Sequence, residues 1–374
     1  MIISYESMES DMPKAIAFIP HKTRVETHKV AYLRAISDSM DDPYQTEDGR
    51  EMRGVQLQLA DKCKKLSGVK HWQFTDCCTD AIQISIDALT NPGDTVIIPS
   101  YGWRAFGNAV RFMNRKIRFC DVDATGNVDI EKLQDMIPKV KPAAVIIVHN
   151  FGTIVDINKI IDTCKQYKVK IIEDAAPSFY MGEPYAYVPG SLSDTACFSF
   201  DFTKYPGTLG SGGAICTNSD AIANTIYEIS AHGRGKDKDI HRVGTKSYMD
   251  MTSCAVLYKE IELFETLKYR ERRREIADWY KENLPYPSVP GENYIWERYT
   301  MSVPKNEVEE VIEKLNAVKC LARTFFKEPL HLLPWLNTEG DECPNTTTFC
   351  ETTVHLPSHH YLDNDELYRI KKAL

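Results

Sequence analysis

The stretch Lys170-Ile171-Ile172-Glu173-Asp174-Ala175-Ala176-Pro177 has the form of a buried strand that ends in two carboxylates. Its short run of apolar residues is typical of a strand that is covered on both faces of a parallel sheet. Ligands of parallel α/β sheets lie beyond the carboxyl ends of the strands, which is where Asp174 stands. A carboxylate there is held rigidly and accepts a charge-assisted hydrogen bond worth roughly 1.5–3 kcal/mol.

A second apolar run, Ala196–Phe200, is followed by Asp201-Phe202-Thr203-Lys204 and then by glycines between Gly207 and Gly213. Taken singly, an Asp after a strand is more often a helix cap, and a Lys in a glycine-rich loop is more often a solvated surface group. Together they fit pyridoxal-5′-phosphate (PLP) chemistry, which needs a Schiff-base lysine and an anion that keeps the ring nitrogen protonated. The sequence therefore predicts Lys204 and Asp174 as catalytic residues, with Lys204 also moving the substrate's proton.

Strand-like and helix-like segments alternate around these two stretches. Apolar runs predict strands at Thr95–Pro99, Ile117–Cys120, Ala144–Val148, Lys170–Glu173, Ala196–Phe200 and Ala214–Thr217. Periodic apolar positions predict helices at Val55–Leu66, Asp80–Leu89, Trp103–Met113, Ile130–Met136, Ile157–Tyr167 and Ala221–Ser230. This alternation indicates an α/β domain with a mostly parallel sheet.

The pattern changes after Met249, where apolar residues at helical spacing lead into a long charged helix, Tyr269–Asn283. Several prolines and a glycine then interrupt the chain, and the remainder has the mixed pattern of a small α+β unit. We therefore predict a large α/β domain over residues 1–255. A small C-terminal α+β domain, which includes the long connecting helix, is predicted over residues 256–374.

Composition excludes several classes of protein. Across 374 residues, 45 Lys and Arg stand against 53 Asp and Glu, and a net charge of −8 argues against a dedicated nucleic-acid binder. No apolar run approaches the length of a membrane span, and Met1–Pro13 lacks the apolar core of a signal peptide, so we expect a cytoplasmic protein. Eleven scattered cysteines without a CxxC pair indicate reduced, mostly buried thiols, and no metal site is expected.

Several short motifs, taken in order from about residue 50 to the end, resemble the DegT/DnrJ/EryC1/StrS family of sugar aminotransferases. They are Cys77-Cys78-Thr79-Asp80-Ala81 (Ser-Gly-Thr-x-Ala in the family), Asn91–Pro99, His149-Asn150-Phe151-Gly152, Glu173-Asp174-Ala175-Ala176 and Ser199-Phe200-Asp201-Phe202-Thr203-Lys204 (Ser-Phe-x-x-x-Lys). The resemblance implies a fold-type I PLP-dependent transferase and a homodimer. It also implies that Cys78, Thr79 and Ser199 bind the cofactor phosphate and that Trp103 stacks on the ring.

Three positions depart from the family pattern. Pro177 stands where the family has a Gln or His beside the cofactor's phenolic oxygen, and Cys78 replaces a glycine of the phosphate turn. Lys246 stands where the family has an Asn that reaches the cofactor phosphate from the partner subunit. A lysine there serves as a point-charge phosphate ligand, pairs with a different substrate, or is simply solvated.

The resemblance implies an aminotransferase that moves an amino group from glutamate or glutamine onto a nucleotide-linked keto-sugar through Lys204. One alternative is a PLP-dependent lyase or decarboxylase acting on an amino acid or an amino-acid-modified nucleotide, because a protonated ring stabilises both kinds of carbanion. The other alternative is a relative with a regulatory or assembly role.

Overall fold

A computed structural model describes residues 15–18, 20–40, 54–179, 187–291, 295–336 and 340–374. The segment Met1–Pro13, in which no signal peptide is expected, lies outside these ranges. Over the ranges described, no helix is both long and apolar enough to cross a bilayer. All eleven cysteines are free thiols, and only Cys77 is not fully buried.

A seven-stranded sheet forms the core of the larger part of the molecule. In chain order its strands are β1 (His71–Thr75), β2 (Thr95–Pro99), β3 (Lys116–Cys120), β4 (Ala144–Val148), β5 (Lys170–Asp174), β6 (Thr195–Ser199) and β7 (Gly213–Thr217). Their order across the sheet is β1-β7-β6-β5-β4-β2-β3, and all neighbours are parallel except those of β7. The predicted mostly parallel α/β sheet is confirmed, and each predicted strand is found to within one residue at either end.

The edge strand β1 is absent from the sequence-based prediction. Its buried residues Trp72 and Phe74 alternate with the half-buried His71 and Gln73, so it has no continuous apolar run. It pairs antiparallel with β7, which is itself covered on both faces. An alternating pattern of only five residues is too short to separate a strand from a loop.

Helices cover both faces of the sheet. They are α1 (His21–Met40), α2 (Val55–Ser67), α3 (Cys78–Leu89), α4 (Ala105–Phe112), α5 (Ile130–Val140), α6 (Asn158–Tyr167), α7 (Asp220–Ser230) and α8 (Met251–Thr266). Side chains of successive strand residues point to opposite faces: Ile146 of β4 packs with α3 and α4, whereas Val145 and Ile147 pack with α5 and α6. The predicted helices of this region are therefore confirmed.

The C-terminal part has its own core around a two-stranded antiparallel sheet. Its elements are α9 (Tyr269–Asn283), β8 (Arg298–Ser302), α10 (Val308–Ala317), α11 (Pro344–Thr352), β9 (Thr353–Pro357) and α12 (Asn364–Ala373). Ile276 and Tyr280 of α9 pack with Tyr299, Leu315 and Leu356.

The predicted domain boundary at residue 255 stays a prediction. Ala255 and Leu257 of α8 pack with Phe198 of the large sheet, and Leu330 and Leu336 join the core around α3 and α4. We propose a division between α8 and α9, with the segment around residues 330–343 returning to the large domain.

Candidate active site

A cavity of about 580 Å³ opens at the carboxyl ends of β4, β5 and β6. Six of the seven predicted site residues line it: Cys78, Thr79, Trp103, Asp174, Ser199 and Lys204. Parallel strands bring residues that are far apart in sequence to one edge of the sheet. A second cavity of similar volume, between α2, β1 and α7, contains none of these residues.

Asp174 is the last residue of β5 and is 4% exposed. The backbone N–H of Ala176 donates to Asp174 Oδ1 at 3.0 Å. Burial raises the pKa of Asp174, while this hydrogen bond and the positive charge of Lys204 act in the opposite direction. A buried carboxylate in this setting is stabilised by a cation in the cavity, which is the role that a protonated pyridine nitrogen fills.

The neighbouring Glu173 has a structural role. Its carboxylate accepts hydrogen bonds from the Gly190 N–H at 2.8 Å and from the hydroxyls of Tyr187 and Ser193. His149 Nε2 also lies 2.8 Å from Glu173 Oε2, and since His149 Nδ1 accepts from the Val155 N–H, Nε2 is the protonated nitrogen and donates. Both carboxylate oxygens of Glu173 are thus occupied by hydrogen bonds within the protein. Asp174 is the carboxylate of this pair that lines the cavity.

Lys204 forms an ion pair that the sequence did not indicate. Its Nζ lies 2.7 Å from Glu297 Oε1, and Glu297 is buried immediately before β8. Burial opposes the charge of Glu297, but Lys204 and Arg298 outweigh it and lower the pKa of Glu297 to about 2. The lysine amine is therefore held in the cavity by a carboxylate from the C-terminal part of the chain.

Helix α1 holds the backbone that carries Lys204. The buried guanidinium of Arg24 donates to the carbonyl oxygens of Lys204 at 3.0 Å, Phe202 at 2.9 Å and Thr208 at 2.9 Å. These three carbonyls belong to one loop, so a single buried side chain fixes its shape.

The start of α3 is suited to a phosphate group. Backbone N–H groups in the first turn of a helix have no acceptor within the helix and lie at its positive end. A Cβ added to Gly213 would lie 2.4–2.5 Å from backbone atoms of Cys77 and Cys78, so β7 packs directly against this turn. With the hydroxyls of Thr79 and Ser199 in the same cavity, these residues fit the phosphate of PLP, and Asp174 and Lys204 fit its ring nitrogen and aldehyde.

The three remaining predictions have different outcomes. Trp103 lies on the cavity wall and is 54% exposed, so its ring is available for stacking. Pro177 also lines the cavity and has no N–H to donate. Lys246 does not line the cavity of its own chain; it is exposed and interacts electrostatically with Asp76. Its role in a neighbouring subunit stays a prediction.

One wall of the cavity was missed by the sequence analysis. It is formed by Glu297, Arg298, Arg323, Phe325 and Phe326. The adjacent charges in Trp296-Glu297-Arg298-Tyr299 were the available signal, because two charged residues at the start of a buried strand require partners.

The model of the DegT/DnrJ/EryC1/StrS aminotransferase family matches residues 33–374. UDP-2-acetamido-2-deoxy-3-oxo-D-glucuronate aminotransferase of Pseudomonas aeruginosa is 31% identical over 329 residues, covering 85% of this chain and 89% of that protein. GDP-perosamine synthase of Caulobacter vibrioides is 28% identical over 391 residues and covers 98% of each chain.

Among solved structures, NtdA of Bacillus subtilis with its cofactor PMP bound matches with a TM-score of 0.85 at 23% identity, over 98% of this chain and 86% of that one. This likeness shows that the two proteins share a fold. The family match, the cavity and the residues that line it lead to one conclusion. The chain belongs to the DegT/DnrJ/EryC1/StrS aminotransferase family and is a PLP-dependent aminotransferase.

Proposed function

We propose that this enzyme transfers the amino group of glutamate or glutamine to a keto-sugar attached to a nucleotide. The observation that carries the proposal is the convergence of Lys204, Asp174 and the first turn of α3 on one cavity. Two relatives that align over most of the chain are named for a UDP-linked and a GDP-linked sugar, which supports a nucleotide-linked acceptor.

When bound, PLP supplies an electron sink that stabilises the carbanion formed when the substrate loses a proton. Asp174 keeps the ring nitrogen protonated, because a buried carboxylate without a cation would be unfavourable. Lys204 would hold the cofactor at its aldehyde carbon, and the lysine Nζ would move the proton between the reacting carbon of the substrate and that carbon. The first turn of α3, with Thr79 and Ser199, holds the phosphate and so orients the ring.

The substrate enters beside Trp103 and the wall of the cavity that the C-terminal part provides. We propose that Trp103 covers one face of the ring and limits the access of water. Pro177 donates no hydrogen bond to the cofactor's phenolic oxygen. The orientation of the cofactor therefore depends on the first turn of α3, which holds the phosphate, and on Asp174.

The test is the absorption spectrum of the PLP-loaded protein and of a Lys204→Ala variant, before and after L-glutamate or L-glutamine is added. We expect a visible band that shifts toward the near ultraviolet with the correct donor and is missing in the variant. Lys70→Ala, which removes an exposed lysine far from the cavity, serves as the matched control.

The second half of the reaction is tested by adding a UDP-linked or GDP-linked keto-sugar to the aminated enzyme. Recovery of the visible band together with an amino-sugar product supports the proposal. A loss of carboxylate from an amino acid, with no need for a keto acceptor, would instead favour the lyase or decarboxylase alternative. A band that neither amino donor changes would overturn the donor assignment.

A further inference from the structure

We propose that Arg298 and Arg323 form a carboxylate-binding subsite beside Lys204, in a position that selects substrates with a carboxylate close to the reacting carbon. The inference rests on the proposed aminotransferase function and adds to it the chemical class of the group that is recognised.

The two arginines share one aromatic support. The guanidinium carbon of Arg298 lies 3.9 Å from the centroid of the Phe325 ring and 5.0 Å from that of Phe18. The guanidinium carbon of Arg323 lies 4.3 Å and 5.2 Å from the same two rings. A ring that covers the face of a guanidinium leaves the N–H groups at its edge available to an acceptor.

The described part of the chain does not satisfy these N–H groups. Arg298 is 5% exposed, and its buried Nε has no hydrogen-bond partner among the described residues. A buried donor without a partner is unfavourable by about 1–3 kcal/mol, more when the group is charged. Arg323 is exposed toward the cavity and forms no ion pair with any carboxylate in the ranges described.

The carboxylate beside Arg298 is Glu297, which interacts with more than one cation. Glu297 Oε1 lies 3.8 Å from Arg298 Nη2, but the same oxygen lies 2.7 Å from Lys204 Nζ. One carboxylate, Glu297, therefore faces two arginines at this wall, so an excess of positive charge remains there also when Lys204 is bound to the cofactor. Burial lowers the pKa of both arginines, yet a guanidinium stays protonated at neutral pH. A bound anion would balance the positive charge of the two guanidinium groups and accept hydrogen bonds from their N–H groups.

The position of the subsite indicates what the anion is attached to. Because Glu297 Oε1 contacts both Lys204 Nζ and Arg298 Nη2, these nitrogens are no farther apart than the sum of the two distances. A group bound by Arg298 is thus only a few bonds from the carbon that reacts at Lys204. Guanidinium edges match the two oxygens of a carboxylate.

Two parts of the reaction could supply this carboxylate: the α-carboxylate of the amino donor, or an acid group on the acceptor sugar, as in the uronate named for the Pseudomonas aeruginosa relative. The two sources share the same chemistry. They differ in which half of the reaction depends on the arginines.

The subsite is tested by isothermal titration calorimetry of the PLP-loaded enzyme with glutarate, D-glucuronate and, as a neutral comparison, D-glucose. Arg323→Gln removes an exposed arginine, so it leaves the core intact, and Arg298→Lys keeps the charge but loses the planar fork. Arg274→Gln removes an exposed arginine of α9 and is the matched control. We expect at least one carboxylate probe to bind, and each cavity variant to weaken that binding by about tenfold or more.

A spectral titration with L-glutamate then identifies the source. If Arg323→Gln needs more glutamate than the wild type and binds glutarate more weakly, the subsite holds the donor carboxylate. If Arg323→Gln reacts with glutamate as the wild type does and only its binding of glucuronate is weaker, the subsite holds an acid group of the acceptor. If neither probe binds the wild type, or if both cavity variants bind them unchanged, the subsite is overturned. Because glutarate has no amine to transfer, a wild type that binds it but does not react with glutamate would contradict the proposed donor alone.

Discussion

Glu297 and Lys204 form a partly buried ion pair on the cavity wall, and the distance between Nζ and Oε1 is 2.7 Å. Three cations, Lys204, Arg298 and Arg273, lower the pKa of Glu297 from 4.5 to about 2 against the effect of its burial. A carboxylate whose pKa is lowered on folding stabilises the protein above its unfolded pKa. That stabilisation is lost as the pH falls through the folded value.

Glu297→Gln should therefore destabilise the cofactor-free protein, because it leaves these three cations without a carboxylate. The difference in unfolding free energy between the wild type and the variant should be constant above a pH of about 4.5 and should shrink as the pH falls toward about 2. Urea unfolding at a series of pH values measures it. Glu310→Gln, at an exposed carboxylate, should change stability little. A difference that grows on acidification would contradict the role given to Glu297.

At the scale of elements, α1 and the loop after β6 act as one unit. Arg24 is 1% exposed and donates to three carbonyl oxygens of the loop that carries Lys204. On the same helix, His28 and Tyr32 contact the buried Glu260 of α8, which ties α1 to the large domain. The position of Lys204 thus depends on a residue that lies 180 positions earlier in the chain.

We expect Arg24→Met to lower the unfolding free energy by about 3 kcal/mol, because charge-assisted hydrogen bonds to three carbonyls are lost in a buried place. PLP binding should also weaken, since the loop around Lys204 is no longer held. Urea unfolding and a PLP titration of the cofactor-free protein measure the two effects. Arg34→Met, at an exposed position of the same helix, is the control. A variant that is destabilised but binds PLP as the wild type does would show that Arg24 serves stability alone.

At the scale of the whole molecule, one cavity is built from both parts of the chain. The large sheet contributes Asp174 and Ser199, and the loop after β6 contributes Lys204. The C-terminal part contributes Glu297 just before β8, Arg298 in β8, and Arg323 after α10. Lys246 lies outside this cavity, on the exposed segment between α7 and α8. In the homodimer that the family resemblance implies, Lys246 is expected to act at the active site of the second copy of the chain.

Mixing two inactive variants tests this arrangement. In a heterodimer of Lys204→Ala and Lys246→Ala subunits, one site lacks both lysines and the other retains both. If Lys246→Ala alone is strongly impaired and Lys246 acts across the interface, mixing should restore up to about half of the activity per dimer. Analytical ultracentrifugation checks that the mixed species is a dimer. Full activity of Lys246→Ala, or no recovery on mixing, would contradict the cross-subunit role.

The sequence was sufficient for the sheet and for the residues at its carboxyl edge. Apolar runs such as Ala144–Val148 have the length and composition typical of a strand that is buried on both faces. All five residues of this run are buried in the structure, so the prediction from the sequence matches their position in the fold. Asp174, Ser199 and Lys204 directly follow or end such runs, and the rule for parallel sheets brings them together. The edge strand β1 was missed because half of its side chains are only partly buried.

The tertiary structure alone decided the partners of these residues. The Lys204–Glu297 pair spans 93 residues and the Arg24–Lys204 contact spans 180, and no local pattern in the chain connects such distant positions. The sequence by itself determined the sheet and the cofactor and predicted the pair Lys204 and Asp174, because these follow from periodicity and from short motifs. The folding of the C-terminal part over the sheet decided which charges face Lys204, because burial and electrostatic pairing depend on positions in space.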